Sequence, residues 1–348
     1  MYSSIIDSMS TAELIETPPA HQPTVAPGAH ARPRKPPLAL RPLHRMWRRT
    51  IDEIKVSEIE LPVRGLPPAL AGLVACQISD FHVDRDEDLK RLSFAVEAIN
   101  EQSPDLVFLT GDYFSGPDTM HRYLGAFRDA LKKLRPKSGV IAILGNHDHW
   151  SSADRITEAL KRAGADVLAN ESRRLVLRNE KIVVVGIDDL WSRRAEPARA
   201  FSDVRHDDCT IVLAHNPDTA LYARHLKPGV MLSGHTHGGV VRIPFYGSPL
   251  KSILRIGKQF YSGLNLYEDF YIYTNRGLGT FWLRIRINCP PEVSRFSLTP
   301  LVESTAVHNA KSATNGKAHP LKGVRHRLKT RRRRTPRPLT HRPHRKHV

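Results

Sequence analysis

The chain has 348 residues, 40% hydrophobic and 25% charged, with a formal net charge of +18. That length suits one large domain or two smaller ones, and no run of about 18 apolar residues predicts a membrane-spanning helix. The charge resembles that of a nucleic-acid binder until it is mapped: residues 1–50 hold seven Lys/Arg and three Asp/Glu, residues 304–348 hold fourteen and none, and residues 51–303 hold thirty-two of each sign. The basicity belongs to the flanks, and the body between them is neutral.

In chain order, residues 1–45 are rich in Pro, Ala, Ser and Thr and read as a disordered leader with a basic end. Met1 to His30 carries no Lys or Arg and no apolar core, so no secretory signal is expected. Residues 36–49, PPLALRPLHRMWRR, mix cations with Leu and Trp47; they suit a membrane-surface anchor or a linker that packs Trp47 on the domain. The body, 46–302, alternates. Apolar runs at 73–79, 105–110, 139–144, 182–187, 210–214, 229–233 and 270–274 have the length and β-branching of buried strands. Helical periodicity marks 88–102 and 152–164, and Asn216-Pro217 reads as a cap opening a helix through Leu226. Strand–helix alternation implies an α/β layered fold. Residues 303–348 are an Arg-rich tail with no apolar periodicity, expected to be disordered, whose histidines are solvated. Cys76, Cys209 and Cys289 form no CxxC and are odd in number, so no disulfide framework is expected. A reducing compartment fits, and the expected location is cytoplasmic, or peripheral on the inner membrane face.

The strand ends carry the chemistry. Run 73–79 ends in Asp80-Phe81-His82, run 105–110 in Gly111-Asp112, and run 139–144 in Gly145-Asn146-His147-Asp148. Run 210–214 ends in His215-Asn216, and run 229–233 in Gly234-His235-Thr236-His237. One such ending usually marks a turn; five in succession point to a site outside the carboxyl ends of strands. Residues i and i+2 of a strand share a side, so Asp80 and His82 are expected to grip one ion together. Asp112 can bridge two ions, Asn146 offers a neutral oxygen, and His215, His235 and His237 offer imidazoles. Mixed carboxylate and imidazole donors suit two divalent ions of Mn, Fe or Zn, manganese first. Such a pair would clamp a phosphoryl group and generate a hydroxide nucleophile. His147 beside Asn146 is the candidate catalytic acid.

The ordered set DxH, GD, GNHD, H, GHTH resembles the calcineurin-like metallophosphoesterase superfamily over about residues 70–300. The resemblance implies a four-layer αββα sandwich of two mixed β-sheets flanked by helices. It also implies Asp80, His82 and His237 on one metal, Asn146, His215 and His235 on the other, Asp112 between them, and His147 as the non-ligand catalytic histidine. GHTHGG, NRGLG at 275–279 and RINCPPEVSRFSL at 286–298 resemble a bacterial branch containing membrane-associated phosphodiesterases and a UDP-2,3-diacylglucosamine pyrophosphatase. This chain departs from that branch in having Val240 after GHTHGG and in lacking the N-terminal membrane segment of many members.

Other residues have two readings each. Asp148 is expected to cap rather than ligate. Asp188 and Asp189 either orient a metal-bound histidine or mark a turn. His149 and Trp150 border the pocket or simply pack. Arg276 is a candidate substrate-binding residue for a phosphate, or half of a structural ion pair. Phe245, Tyr246, Phe260, Tyr261 and Leu264 form an acyl-chain wall or a satellite core. His121, His206 and His225 are expected at the surface.

The expected activity is hydrolysis of a phosphodiester or pyrophosphate, with a lipid-linked substrate and an anionic membrane surface as the partners the basic flanks would meet. The alternatives are a soluble nucleotide or nucleic-acid phosphodiesterase whose tail holds polyanion, and a non-catalytic metal-binding module.

Overall fold

A computed structural model describes residues 53–243, 247–248, 254–280, 284 and 286–301. The leader, the 36–49 anchor candidate, the basic tail, and Phe245 and Tyr246 lie outside the described residues.

Among the described residues, twelve strands form two six-stranded mixed sheets. The first has the order β1 (Lys55–Val63), β12 (Glu292–Pro300), β2 (Val74–Ile78), β3 (Leu106–Leu109), β4 (Val140–Ala142), β5 (Ala165–Val167). Strands β2 to β5 run parallel, and β12 lies antiparallel to β2. The second sheet has the order β10 (Gly263–Tyr267), β11 (Phe270–Thr274), β9 (Val230–Ser233), β8 (Thr210–Ala214), β7 (Glu180–Ile187), β6 (Glu171–Leu177). Its four central strands are parallel, and β10 and β6 are antiparallel edges.

Strands β2, β3, β4, β7, β8, β9 and β11 are largely apolar on both faces because each face is covered. The two-residue period sorts the side chains. Leu106 and Phe108 of β3 point between the sheets, where they join Ile182 and Val184 of β7, Ile211 and Leu213 of β8, and Val230 and Leu232 of β9. Val107 and Leu109 point outward, under α1 (Asp86–Glu101), α2 (Pro117–Leu131) and the shorter α3 (Asn146–Ser151) and α4 (Ala153–Arg162). Helix α1 covers that face with Leu92, Ala95, Val96 and Ile99, α2 with Met120, Tyr123 and Phe127, and α4 with Ile156 and Leu160. The outer face of the second sheet (Val183, Val185, Val212, Met231, Ile272) is covered by single helical turns and by Phe201, Phe260 and Tyr261. The result is the four-layer αββα sandwich.

The helix predicted from Pro217 to Leu226 is broken into a 3-10 turn, one α turn (Ala220–Ala223) and another 3-10 turn. The cap itself is present, with Asn216 Oδ1 accepting from Asp218 N at 2.9 Å. The three cysteines are free and buried. Among the described residues no helix is long and apolar enough to cross a membrane.

Candidate metal centre

The five predicted strand endings converge. They leave β2, β3 and β4 of the first sheet and β8 and β9 of the second, all at carboxyl ends. Donor atoms of Asp80, His82 and His237 lie within 4.8 Å of one another, and the same holds for His82, Asp112 and His147 and for Asp112, His215 and His235. Asp112 Oδ2 stands between the first and last groups, 3.5 Å from His82 Nε2 and 3.1 Å from His215 Nε2. His237 Nε2 is 3.1 Å from His82 Nε2 and 3.4 Å from Asp80 Oδ1. Asn146 Oδ1 is 3.0 Å from His235 Nδ1.

These spacings fit a pair of cations. Donors about 2.1 Å from one ion stand about 3.0–3.5 Å from each other. Asp80 and Asp112 are almost wholly buried, yet among the described residues their ion-pair partners are imidazoles rather than Lys or Arg. Buried carboxylates whose ion-pair partners are imidazoles are costly unless a cation joins them.

The route to this convergence differs from the strand periodicity expected for Asp80 and His82. Strand β2 ends at Ile78, and both residues have left-handed φ, 49° and 44°. Asp112, His235 and His237 do too, at 57°, 70° and 50°. Five of the seven candidate ligands therefore sit in a conformation costing about 1–3 kcal/mol each, a strain that clusters at functional sites. Close approach adds a second constraint. A Cβ on Gly145 would strike the Asp112 carboxylate, and one on Gly234 would strike Ser79 and Asp80.

Hydrogen bonds fix Asp80, Asp112 and His215. Both Asp80 oxygens accept from His235 N at 3.0 Å, and Asp112 Oδ1 accepts from His147 N at 2.9 Å. His215 Nδ1 is 2.7 Å from Thr110 O, which directs Nε2 toward Asp112. Asp148 caps, as expected: its carboxylate accepts from Asp112 N, Tyr113 N and Gly145 N, each at 2.8 Å, and so ties together the loops bearing Asp112 and Asn146.

Burial dominates the electrostatics. It lifts Asp80 to about 6 and Asp148 to about 7. It holds His82 and His235 well below the usual histidine range and His237 down at about 3, with neighbouring cationic groups pushing the same way. Asp112 is the exception: burial would raise it, but the surrounding imidazoles together hold it well below the usual carboxylate range. His215 shows the converse, raised against burial by Asp112, Asp80 and Asp189. The centre is thus anionic at Asp112, with neutral imidazoles at His82, His235 and His237 ready to donate lone pairs.

His147 is the second residue of α3. Its Nδ1 is 3.3 Å from Ser115 O, and its ring lies 4.8 Å from that of His82. It borders the cluster without sharing the closest donor contacts. Asp188 and Asp189 do not orient a candidate ligand. Asp188 Oδ1 meets His149 Nε2 at 2.6 Å, and Asp189 Oδ2 accepts from Ser192 N at 2.6 Å. Arg276 makes the ion pair that was its second reading: its Nη2 donates to Glu292 Oε1 at 2.6 Å and to Ser57 Oγ at 3.0 Å. Phe260 and Tyr261 belong to the core over the second sheet and form no open wall. His121, His206 and His225 are exposed.

Two supports escaped the sequence. Thr110 acts through a carbonyl, which no side chain advertises. Arg286 is entirely buried and donates to the carbonyls of Arg276 (2.8 Å), Gly277 (3.1 Å), Gly279 (3.1 Å) and Cys289 (3.2 Å). It thereby shapes the segment whose Leu278 N and Gly279 N donate to Ser79 O and Asp80 O at 3.0 and 2.7 Å.

The comparisons with known proteins agree with this arrangement. The Calcineurin-like phosphoesterase family matches residues 74–239, a span running from β2 through His237. Phosphodiesterase YaeI of Escherichia coli (strain K12) is 36% identical over 224 residues, 64% of this chain and 80% of that protein. The metallophosphoesterase YkuE of Bacillus subtilis (strain 168) is 33% identical over 70% of this chain and 85% of that protein. UDP-2,3-diacylglucosamine pyrophosphatase LpxG of Chlamydia trachomatis is 28% identical over 64% of this chain and 83% of its own length. With two relatives above 30% identity across most of their length, a matching family span and a buried Asp/His cluster at its strand ends, the chain belongs to the calcineurin-like phosphoesterase family.

Proposed function

We propose that the chain hydrolyses phosphodiester or diphosphate bonds with two divalent cations. Asp80, His82 and His237 hold one, Asn146, His215 and His235 hold the other, and Asp112 is shared between them. The observation that carries this reading is Asp112 Oδ2, within 3.5 Å of His82 Nε2 and 3.1 Å of His215 Nε2 among largely buried donors. When bound, such a pair supplies Lewis acidity to activate water and to neutralise phosphoryl charge. The mixed carboxylate, amide and imidazole donors suit manganese, iron or zinc, with manganese the first to test.

The chain's own residues do the rest. The left-handed backbone at Asp80, His82, Asp112, His235 and His237 preorganises the donors, so little reorganisation accompanies reaction. Asp148 locks the Asp112 loop to the Asn146 turn. His147, whose amide is anchored on Asp112 and whose ring stands beside His82, hands a proton to the leaving oxygen. The name of YaeI supports a phosphodiester and that of LpxG a diphosphate. Similarity to LpxG and the cationic flanks also support a lipid-linked diphosphate reached from an anionic membrane surface on the cytoplasmic side.

The test is purified protein loaded with Mn2+ and offered bis-p-nitrophenyl phosphate. Turnover with two ions per chain is the expected result, and no hydrolysis with any of Mn, Fe or Zn would remove the enzyme reading. A parallel panel of UDP-diacylglucosamine, phospholipids and linear and cyclic nucleotides ranks the substrates.

A further inference from the structure

Five large apolar side chains are exposed among the described residues, and two are tryptophans beside the candidate metal centre: Trp150 at 54% and Trp191 at 46%. Trp150 lies on α3 three residues after His147, on the same helical face, and its ring centroid is 4.8 Å from the His147 ring. Trp191 follows β7, and its ring meets His235 edge to face at 4.3 Å. His235 in turn touches Asn146, the first residue of α3. Two indoles from opposite sheets therefore flank the Asn146–His235 pair, and each leaves about half its surface open.

Their loops are latched together. His149, next to Trp150, meets Asp188, three residues before Trp191, at 2.6 Å, and both side chains are nearly buried. This pair serves neither the candidate ligands nor His147. It fixes the spacing between the two tryptophan-bearing loops.

We propose that Trp150 and Trp191 form an aromatic cleft for a flat ring carried by the substrate, and that this ring is a nucleobase joined to the phosphate held at the metal centre. Charge beside the cleft favours a nucleotide over an acyl chain. Trp191 is followed in sequence by Arg193 and Arg194, both exposed, so the segment that carries the indole carries cations too. A nucleoside phosphate or diphosphate presents anionic oxygens next to a π-face and uses both features; an acyl chain uses only the apolar one. The inference rests on the phosphohydrolase reading for its anchor point, and it names a substrate feature that reading leaves open.

The experiment uses the full chain loaded with Mn2+ and compares UMP with ribose 5-phosphate, which keeps the phosphate and sugar but lacks the ring. Each is titrated as an inhibitor of bis-p-nitrophenyl phosphate hydrolysis and, separately, as a quencher of tryptophan fluorescence. UMP is expected to bind about tenfold more tightly than ribose 5-phosphate. Trp191→Ala and Trp150→Ala each shrink that ratio, Trp191→Phe restores most of it, and Trp191→Leu, apolar but not flat, does not. Val176→Ser, at an exposed apolar residue on β6, is the control and leaves the ratio unchanged. Equal affinity for the two ligands in the parent protein overturns the proposal, as does rescue by Leu equal to that by Phe. If decyl phosphate gains over methyl phosphate through the same tryptophans while UMP does not gain over ribose 5-phosphate, the cleft takes a chain and the nucleobase is wrong. The fluorescence titration does not need turnover. Absent hydrolysis with base-dependent quenching therefore sinks only the phosphohydrolase reading, and hydrolysis without base preference sinks only the cleft.

Discussion

The two sheets contribute unlike things to one site. The first supplies both carboxylates, Asp80 and Asp112, together with His82 and Asn146; the second supplies only imidazoles, His215, His235 and His237. The outer layers differ in parallel. Long helices, α1 of 16 residues and α2 of 15, return the chain between strands of the first sheet, whereas single turns do so over the second. The halves lock reciprocally. A second-sheet amide, His235 N, donates to Asp80 of the first, and a first-sheet carbonyl, Thr110 O, receives His215 Nδ1 of the second. Carboxylates from one sheet and imidazoles from the other meet only when the interior between the sheets is packed. The site therefore reports on that packing, and substitutions in the two halves should fail in different ways.

The largest expected loss follows from the one group both halves share. Asp112→Asn keeps the shape of the side chain, removes its charge, and leaves two metal positions without their common anion. Turnover of bis-p-nitrophenyl phosphate should fall about 10³-fold, and bound Mn2+, counted by elemental analysis, should drop below one ion per chain. Two retained ions and normal turnover would contradict the sharing. Next in size is His147→Ala, which removes a group on the first-sheet side that the proposal leaves without a metal. The ion count should stay at two while kcat on an alkyl ester falls about 10²-fold; p-nitrophenol needs no proton and should leave almost unimpeded. A uniform loss on both leaving groups would instead mean that His147 merely positions Asp112 through its amide.

A subtler break lies between two loops of the first sheet. Asp148→Asn replaces one acceptor oxygen with an N–H donor, facing amides of Asp112, Tyr113 or Gly145 that already donate. Loss of such an outer support typically costs about 10–100-fold in metal affinity or activity. A Mn2+ titration should show the affinity change without a change in fold by circular dichroism. If affinity is untouched, the loops are held by packing alone.

The same contrast between halves explains what was legible in the sequence. Strands apolar on both faces (β2, β3, β4, β7, β8, β9 and β11) stand out as continuous runs. The others do not. In β6, ESRRLVL, exposed Glu171, Arg173 and Arg174 interrupt any run, and in β12 the buried Glu292 and Ser294 read as polar although they serve Arg276 and Asn275. Helix α2 carries a stripe of Met120, Tyr123, Phe127 and Leu131 behind Pro117. The candidate ligands were legible because their types are rare at successive strand ends. The left-handed turns at Asp80 and His82 were not, because no glycine marks them. Arg276 kept two readings for a related reason: its partner Glu292 lies 16 residues away, on a strand of the other sheet, and only the fold brings the two together.

Arg286 offers the smallest effect on catalysis and the sharpest separation of stability from chemistry. Its guanidinium is buried, burial lowers its pKa only to about 10, and it therefore stays charged at neutral pH while satisfying four carbonyls behind Asp80. Arg286→Met matches the length of the stem but orphans those carbonyls, at a cost of about 3 kcal/mol in urea unfolding of the metal-free protein. Lys cannot span four carbonyls in fork geometry, so Arg286→Lys should recover only part of that stability. Because the segment from Arg276 to Gly279 bonds the Asp80 main chain, and Gly279 also the His237 imidazole, the surviving folded fraction should lose the ion proposed for Asp80, His82 and His237 before the one proposed for His215 and His235. Simultaneous loss of both ions would mean that Asp112, rather than either half, sets the stability of the whole centre.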